Sequence, residues 1–256
     1  MKIEQVAAQL YTLRDFLKTP PQIAASLKRV RAIGYQAVQV SGMGPIDEAE
    51  LVRILDGEGL VCCATHEPTM KILDNPDAVV ERLKKLGCRY TAVPAPAGTA
   101  LSTLDEVKSY ASRIDSAGAV LRSAGQVLAY HNHHYEFKRV DGKLILDLLY
   151  SETNPKNLAG EIDTYWVQYG GGDPAAWCKK LAGRLPMLHL KDYVIDTEGK
   201  PAFAEIGYGN LDWYSIIGAA EDAGCEWYIV EQDTCQRDPL ESLAISLRNL
   251  RQMGVQ

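Results

Sequence analysis

The feature that most constrains this chain is a recurring junction in which a helical stretch ends at a glycine and a short apolar run follows at once. It reads Ile33-Gly34-Tyr35 into Ala37-Val38-Gln39-Val40, and again Leu86-Gly87-Cys88 into Tyr90-Thr91-Ala92-Val93. Ala124-Gly125-Gln126 leads into Val127-Leu128-Ala129-Tyr130, and Ala223-Gly224-Cys225 leads into Trp227-Tyr228-Ile229-Val230. Looser copies are Glu58-Gly59 before Leu60-Val61-Cys62-Cys63 and Ala182-Gly183 before Leu185-Pro186-Met187-Leu188. A glycine just past a helix takes the left-handed conformation that closes the last turn without a Cβ penalty. A strand covered on both faces then reads as a continuous apolar run, as parallel sheets require.

Two further runs, Val6-Ala7-Ala8-Gln9-Leu10 and Leu158-Ala159-Gly160-Glu161-Ile162, bring the expected strands to eight. The intervening segments carry helical stripes, such as Leu104, Val107, Ala111, Ile114, Val120 and Leu121, or Leu240, Leu243, Ala244, Leu247 and Leu250. Pro20-Pro21, Asn75-Pro76, Asp173-Pro174 and Asp238-Pro239 read as helix starts. Eight such units close into a barrel or open into a doubly wound sheet. No glycine-rich phosphate fingerprint follows the first strand, where a dinucleotide fold would carry one. The 256 residues also match one barrel. The expected fold is α/β, a single-domain (β/α)8 TIM barrel over residues 1–256.

Charge and cysteine usage narrow the function classes. A net charge of −6 with interspersed signs argues against nucleic acid as a partner. No run of eighteen apolar residues appears, which argues against a membrane span. The start, Met-Lys-Ile-Glu-Gln-Val, lacks a secretory leader's apolar stretch, so the expected location is the cytoplasm. None of the six cysteines forms a CxxC pair. Buried free thiols are therefore expected, with Cys62, Cys63, Cys88 and Cys225 in or beside apolar runs.

Reactive residues in such barrels lie at the C-terminal ends of the strands. All five histidines, His66, His131, His133, His134 and His189, fall at or just beyond those ends. Asp163 closes the sixth expected strand and Glu231 the eighth, each after apolar residues, so each projects into the mouth. Unpaired carboxylates there are unfavourable. A divalent ion held by oxygen and nitrogen donors removes the penalty, with Mn2+, Mg2+, Co2+ or Zn2+ all compatible. The alternative is a salt-bridge network through Lys191 and arginines. For the fourth ligand the fifth strand offers Glu136, better matched in charge, and His131, better placed in depth. Glu136 is favoured, and the one not used faces substrate.

The chain resembles the sugar phosphate isomerase/epimerase superfamily of xylose isomerase-like barrels. The resemblance rests on Gln9-Leu10-Tyr11-Thr12-Leu13-Arg14-Asp15, Tyr130-His131-Asn132-His133 with Glu136-Phe137, and Ile162-Asp163-Thr164-Tyr165-Trp166. It extends to His189-Leu190-Lys191-Asp192, Ile206-Gly207-Tyr208-Gly209 with Asp212-Trp213, and Val230-Glu231-Gln232-Asp233. It implies one divalent ion held by a Glu-Asp-His-Glu set, here Glu136, Asp163, His189 and Glu231. Many relatives place Glu where Gln39 stands, and Gln39 can hydrogen-bond but cannot serve as a base.

The leading expectation is an isomerase or epimerase that abstracts a proton next to a metal-polarised carbonyl of a keto-sugar or related hydroxycarbonyl compound. Glu136 and Glu231 would be the acid–base pair, as in epimerase-like relatives. His133 or His131 would serve instead if a leaving group is expelled, and Lys191 would stabilise developing negative charge. Tyr11, His66, His131 and Glu205 are the candidates for holding substrate. The rival is a lyase, dehydratase or hydratase acting on a keto-sugar, keto-glycoside or inosose. An endonuclease IV-type nuclease and a non-catalytic binding barrel complete the set. Tyr208 and Trp213 are expected to be exposed, as substrate or interface residues, and a homo-oligomer stays open.

Overall fold

The computed structural model describes residues 1–255. Its strands are β1 (Val6–Gln9), β2 (Ala37–Val40), β3 (Val61–His66) and β4 (Tyr90–Val93). Then come β5 (Val127–His131), β6 (Leu158–Asp163), β7 (Met187–Leu190) and β8 (Trp227–Val230). Each pairs in parallel with its neighbours in sequence, and β8 closes on β1 with Val6 opposite Tyr228 and Ala8 opposite Val230. The glycine junctions explain the regularity. Gly34 has φ 117°, and its N–H donates to the carbonyl of Arg31 at the end of helix Pro20–Ile33. Gly59, Gly87, Gly125, Gly183 and Gly224 also have positive φ. The proline-marked starts open helices Pro20–Ile33, Pro76–Lys85, Pro174–Lys180 and Pro239–Gln252.

Strand alternation sorts the side chains into two cores. Val38, Leu128, Tyr130, Ile162, Leu188 and Val230 belong to the large cluster between barrel and helices. Ala7, Ala37, Ala64, Ala92, Ala129 and Ala159 pack with Met187 and Ile229 in a separate, smaller cluster. On the alternation rule these latter residues fill the barrel interior. Alanines there leave room for the larger polar side chains that stand two residues further along five of these strands, Gln9, Gln39, His66, His131 and Glu161.

Two short hairpins interrupt the βα rhythm. Arg139–Val140 pairs with Lys143–Leu144, and Asp192–Ile195, following β7, pairs with Pro201–Ala204. The buried Asp192 carboxylate organises the second. It accepts the N–H of Gly207 at 2.8 Å, that of Gly209 at 3.0 Å and the indole N–H of Trp213 at 2.8 Å. A Cβ at Gly209 would collide with Asp192 Oδ1, so only glycine allows this approach. Trp213 is therefore buried, contrary to expectation, because its indole is consumed inside the fold, whereas Tyr208 is exposed. Cys62, Cys63, Cys88, Cys178 and Cys225 are buried free thiols, and Cys235 is half-buried. No helix among the described residues is long and apolar enough to cross a membrane.

Candidate active site

The alternation that places alanines inside also aims the strand ends inward. His131 ends β5, Asp163 ends β6, His189 lies in β7 two residues after Met187, and Glu231 follows β8 two residues after Ile229. One ligand atom from each of these four buried residues lies within 4.8 Å of the others. His131 Nε2 stands 3.2 Å from Asp163 Oδ2, and His189 Nδ1 stands 2.9 Å from Glu231 Oε2. The remaining nitrogen of each histidine has its own acceptor. His131 Nδ1 is 3.4 Å from the carbonyl of Pro94, and His189 Nε2 is 2.7 Å from Gln39 Oε1. Two carboxylates and two imidazoles with hydrogen-bonded far nitrogens fit a divalent transition ion.

A cation already shares the place. Lys191 Nζ is 3.0 Å from Asp163 Oδ2, 2.8 Å from Glu231 Oε2 and 3.2 Å from Asp233 Oδ2, and it is fully buried. Burial would push the Asp163 and Glu231 carboxyls up, but the Lys191 ammonium and neighbouring histidines hold both below their usual range. Burial alone would lower His189, yet Glu161 and Glu231 raise it to about 10. Burial lowers His131 and, to about 2, His133, whose Nδ1 lies 3.1 Å from the Tyr135 hydroxyl.

Glu136 stands apart from this group. Its carboxylate accepts the Tyr130 hydroxyl at 2.7 Å and the backbone N–H of His133 at 2.8 Å. Tyr130 packs in the cluster between barrel and helices, so its hydroxyl and Glu136 lie on the outer side of β5. The short 3-10 turn Tyr135–Phe137 does not bend the chain back far enough to reverse that. The fifth-strand member of the cluster is His131, and Glu136 ties down the loop that follows it. Burial raises the Glu136 carboxyl to about 7, partly offset by its two donors.

A cavity of about 300 Å³ opens over the cluster, lined by Tyr11, His66, His131, His133, Glu231 and Asp233 among others. Lys191 lies behind this lining and is bonded to Asp233, which does line the cavity. Glu205 lies elsewhere, accepting from Ser242 at 2.8 Å and paired with Arg237 at 3.0 Å, which accounts for its burial without a substrate role. His134 packs edge-on to Tyr169 and near Trp166.

Two acidic residues escaped the sequence reading. Asp233 lines the cavity and pairs with the buried Lys191, and Glu161 lies fully buried beneath the cluster. Glu161 Oε2 is 2.5 Å from His66 Nε2, and Glu161 Oε1 accepts from Gln39 Nε2 at 2.6 Å. Its signal was present, since Glu161 precedes Asp163 by two residues on one strand and must share its face.

The chain belongs to the xylose isomerase-like TIM barrel family, whose model matches residues 27–253. It is 25% identical to the rhizopine catabolism protein MocC of Rhizobium meliloti, over 89% of this chain and 80% of that one. It is 26% identical to an inosose dehydratase of Clostridium perfringens, over 54% of this chain and only 51% of that protein. A solved sugar phosphate isomerase/epimerase from Parabacteroides distasonis superposes with a TM-score of 0.85 at 24% identity, covering 99% of this chain and 100% of the other. A structure of an L-ribulose 3-epimerase superposes at 0.75 with 15% identity, over 100% and 95% of the two chains. Members of the family are isomerases, epimerases and dehydratases.

Proposed function

We propose that this chain is a divalent-metal-dependent lyase that removes water from a polyhydroxylated cyclic or open-chain ketone, ahead of the isomerase or epimerase reading. The observation that carries the choice is the outward position of Glu136. Epimerisation through a pair of metal-bound glutamates needs one on each side of substrate, and the four-residue cluster His131, Asp163, His189 and Glu231 contains a single glutamate. An asymmetric site suits elimination, where the group that takes a proton differs from the group that gives one. The 26% identity to an inosose dehydratase is consistent with this choice.

His131, Asp163, His189 and Glu231 would hold the ion, which when bound supplies Lewis-acid polarisation of the substrate carbonyl. Two imidazoles among the four donors favour Mn2+, Co2+ or Zn2+ over Mg2+. His66, pinned through Nε2 by Glu161, has Nδ1 left to take the proton from the carbon next to the carbonyl. The C–H electron pair becomes the new C=C bond as the C–O bond one carbon further on breaks. The departing hydroxide receives a proton from Asp233, which lines the cavity and is held by the buried Lys191, and leaves as water. His133, with Nδ1 against the Tyr135 hydroxyl, would present Nε2 to a substrate hydroxyl. The cavity volume of about 300 Å³ suits a sugar-sized substrate rather than a polymer. The setting we propose is the cytoplasm, where free thiols persist.

The test is incubation with Mn2+ or Co2+ and a panel of inososes and keto-sugars in D2O, followed by NMR and mass spectrometry. Loss of one water with appearance of an enone or dione is the expected result. Deuterium uptake or a new epimer without water loss would instead establish the isomerase reading.

A further inference from the structure

Beneath the cluster runs a wire of buried amides whose direction is fixed by the backbone. The N–H of Tyr11 donates to Gln9 Oε1 at 3.2 Å, so the other end of the Gln9 amide is its NH2. That NH2 donates to Gln39 Oε1 at 2.6 Å. The far end of Gln39 is then its own NH2, which donates to Glu161 Oε1 at 2.6 Å. A backbone N–H cannot reverse, and a carboxylate only accepts, so both ends of the wire enforce one orientation. Gln39 Oε1 can therefore only accept, and His189 Nε2, 2.7 Å away, must carry a proton.

We propose that Gln39 is a positioning residue that selects Nδ1 of His189 as the metal-facing nitrogen, with Gln9 and Glu161 holding its amide in the required orientation. The proposal rests on the metal reading above. It accounts for glutamine at this position: a carboxylate at residue 39 would face the Glu161 carboxylate at hydrogen-bond distance, two acceptors with no proton between them. The negative charge sits on Glu161 instead, where His66 also reaches it. His66, Glu161 and His189 do form a second compact group of ligand-type atoms. Their facing atoms are already engaged with one another and with Gln39, so the wire is the better account of that group.

A reciprocal exchange should preserve the wire. In the double variant Q39E/E161Q, the carboxylate introduced at position 39 accepts from Gln9 and His189. The amide introduced at position 161 donates to that carboxylate and accepts from His66. Every hydrogen bond and the total charge survive. In Gln39→Leu the acceptor for His189 Nε2–H is lost.

Co2+ affinity is measured by calorimetry on the full chain, together with the solvent-exchangeable, paramagnetically shifted imidazole N–H signals of the Co2+-loaded protein. Gln39→Leu is expected to weaken Co2+ binding about 10- to 100-fold, the range for loss of an outer partner of a metal-bound histidine. It should also lose the slowly exchanging N–H signal of His189. The double variant should regain both. Equal Co2+ affinity and an intact N–H signal in Gln39→Leu overturn the proposal, as does a double variant no better than Gln39→Leu. If Gln39→Leu fails to fold, the double variant compared with Glu161→Gln alone carries the same test. Absence of Co2+ binding by the unaltered protein would overturn the metal reading itself, and that outcome differs from all the others.

Discussion

The outer side of β5 and the inner side of β6 each bury a glutamate completely, and the two glutamates behave in opposite ways. Glu136, outside, meets only neutral donors, the Tyr130 hydroxyl and the His133 N–H, and burial lifts its carboxyl to about 7. Glu161, inside, meets two imidazoles, and although burial alone would raise its carboxyl, His189 and His66 hold it below the usual range. Equal burial thus gives a near-neutral structural acid on one face and a fixed anion on the other. The lesson is that the face of the strand, rather than the residue type or its depth in the sequence, decides which glutamate meets the inward histidines.

The largest expected effects divide along that line. Asp163→Ala and His131→Ala should each reduce bound ion from about one per chain to near zero, with activity falling more than about 100-fold, beyond what outer partners of a ligand produce. Metal content by mass spectrometry and rate measurements on the same samples check both. Glu136→Gln should keep its metal. Loss of metal from Glu136→Gln with retention in His131→Ala would reverse the comparison and return Glu136 to the ligand set.

How much of this was legible in the sequence follows from the same geometry. The barrel was readable because Gly34, Gly87, Gly125 and Gly224 mark helix ends in a way that depends on local backbone alone. Asp163, His189 and Glu231 were readable as inward residues because each sits at a strand end in register with an apolar run. The direction of Glu136 was not readable because it lies five residues beyond His131, past the end of strand alternation, where a charge match to a metal says nothing about orientation. Glu161 was hidden inside what read as a plain strand, although its two-residue spacing from Asp163 fixes its face. Trp213 and Glu205 depended on partners far away in sequence, Asp192 and Arg237, which no local pattern displays.

A smaller effect is the pH dependence of stability carried by Glu136. Its folded carboxyl lies at about 7, above the 4.5 of an unperturbed glutamate, so folding favours the protonated form. The stabilising contribution is complete below pH 4.5 and is lost as pH rises through about 7. The size is at most about 3 kcal/mol from the linkage relation. Glu136→Gln cannot titrate, so its urea-unfolding free energy should fall less between about pH 5 and 8 than that of the unaltered protein. Parallel curves for the two proteins across that range would show that Glu136 titrates normally and that the outer side of β5 is no apolar site.

The smallest effect isolates the hydroxyl that faces Glu136. Tyr130→Phe leaves the ring in its packing and removes only the donor at 2.7 Å. A net loss of about 1 kcal/mol is expected, the ordinary contribution of one buried hydrogen bond. The direction of the accompanying titration is more telling than the size. Because the Tyr130 hydroxyl lowers the Glu136 carboxyl, its removal should move the pH at which stability falls upward, not downward. Metal content should not change, since Tyr130 and Glu136 sit across the β5 backbone from His131. A drop in bound ion in Tyr130→Phe would mean that the outer network sets the position of His131, and the two faces of the strand would then be coupled rather than merely adjacent.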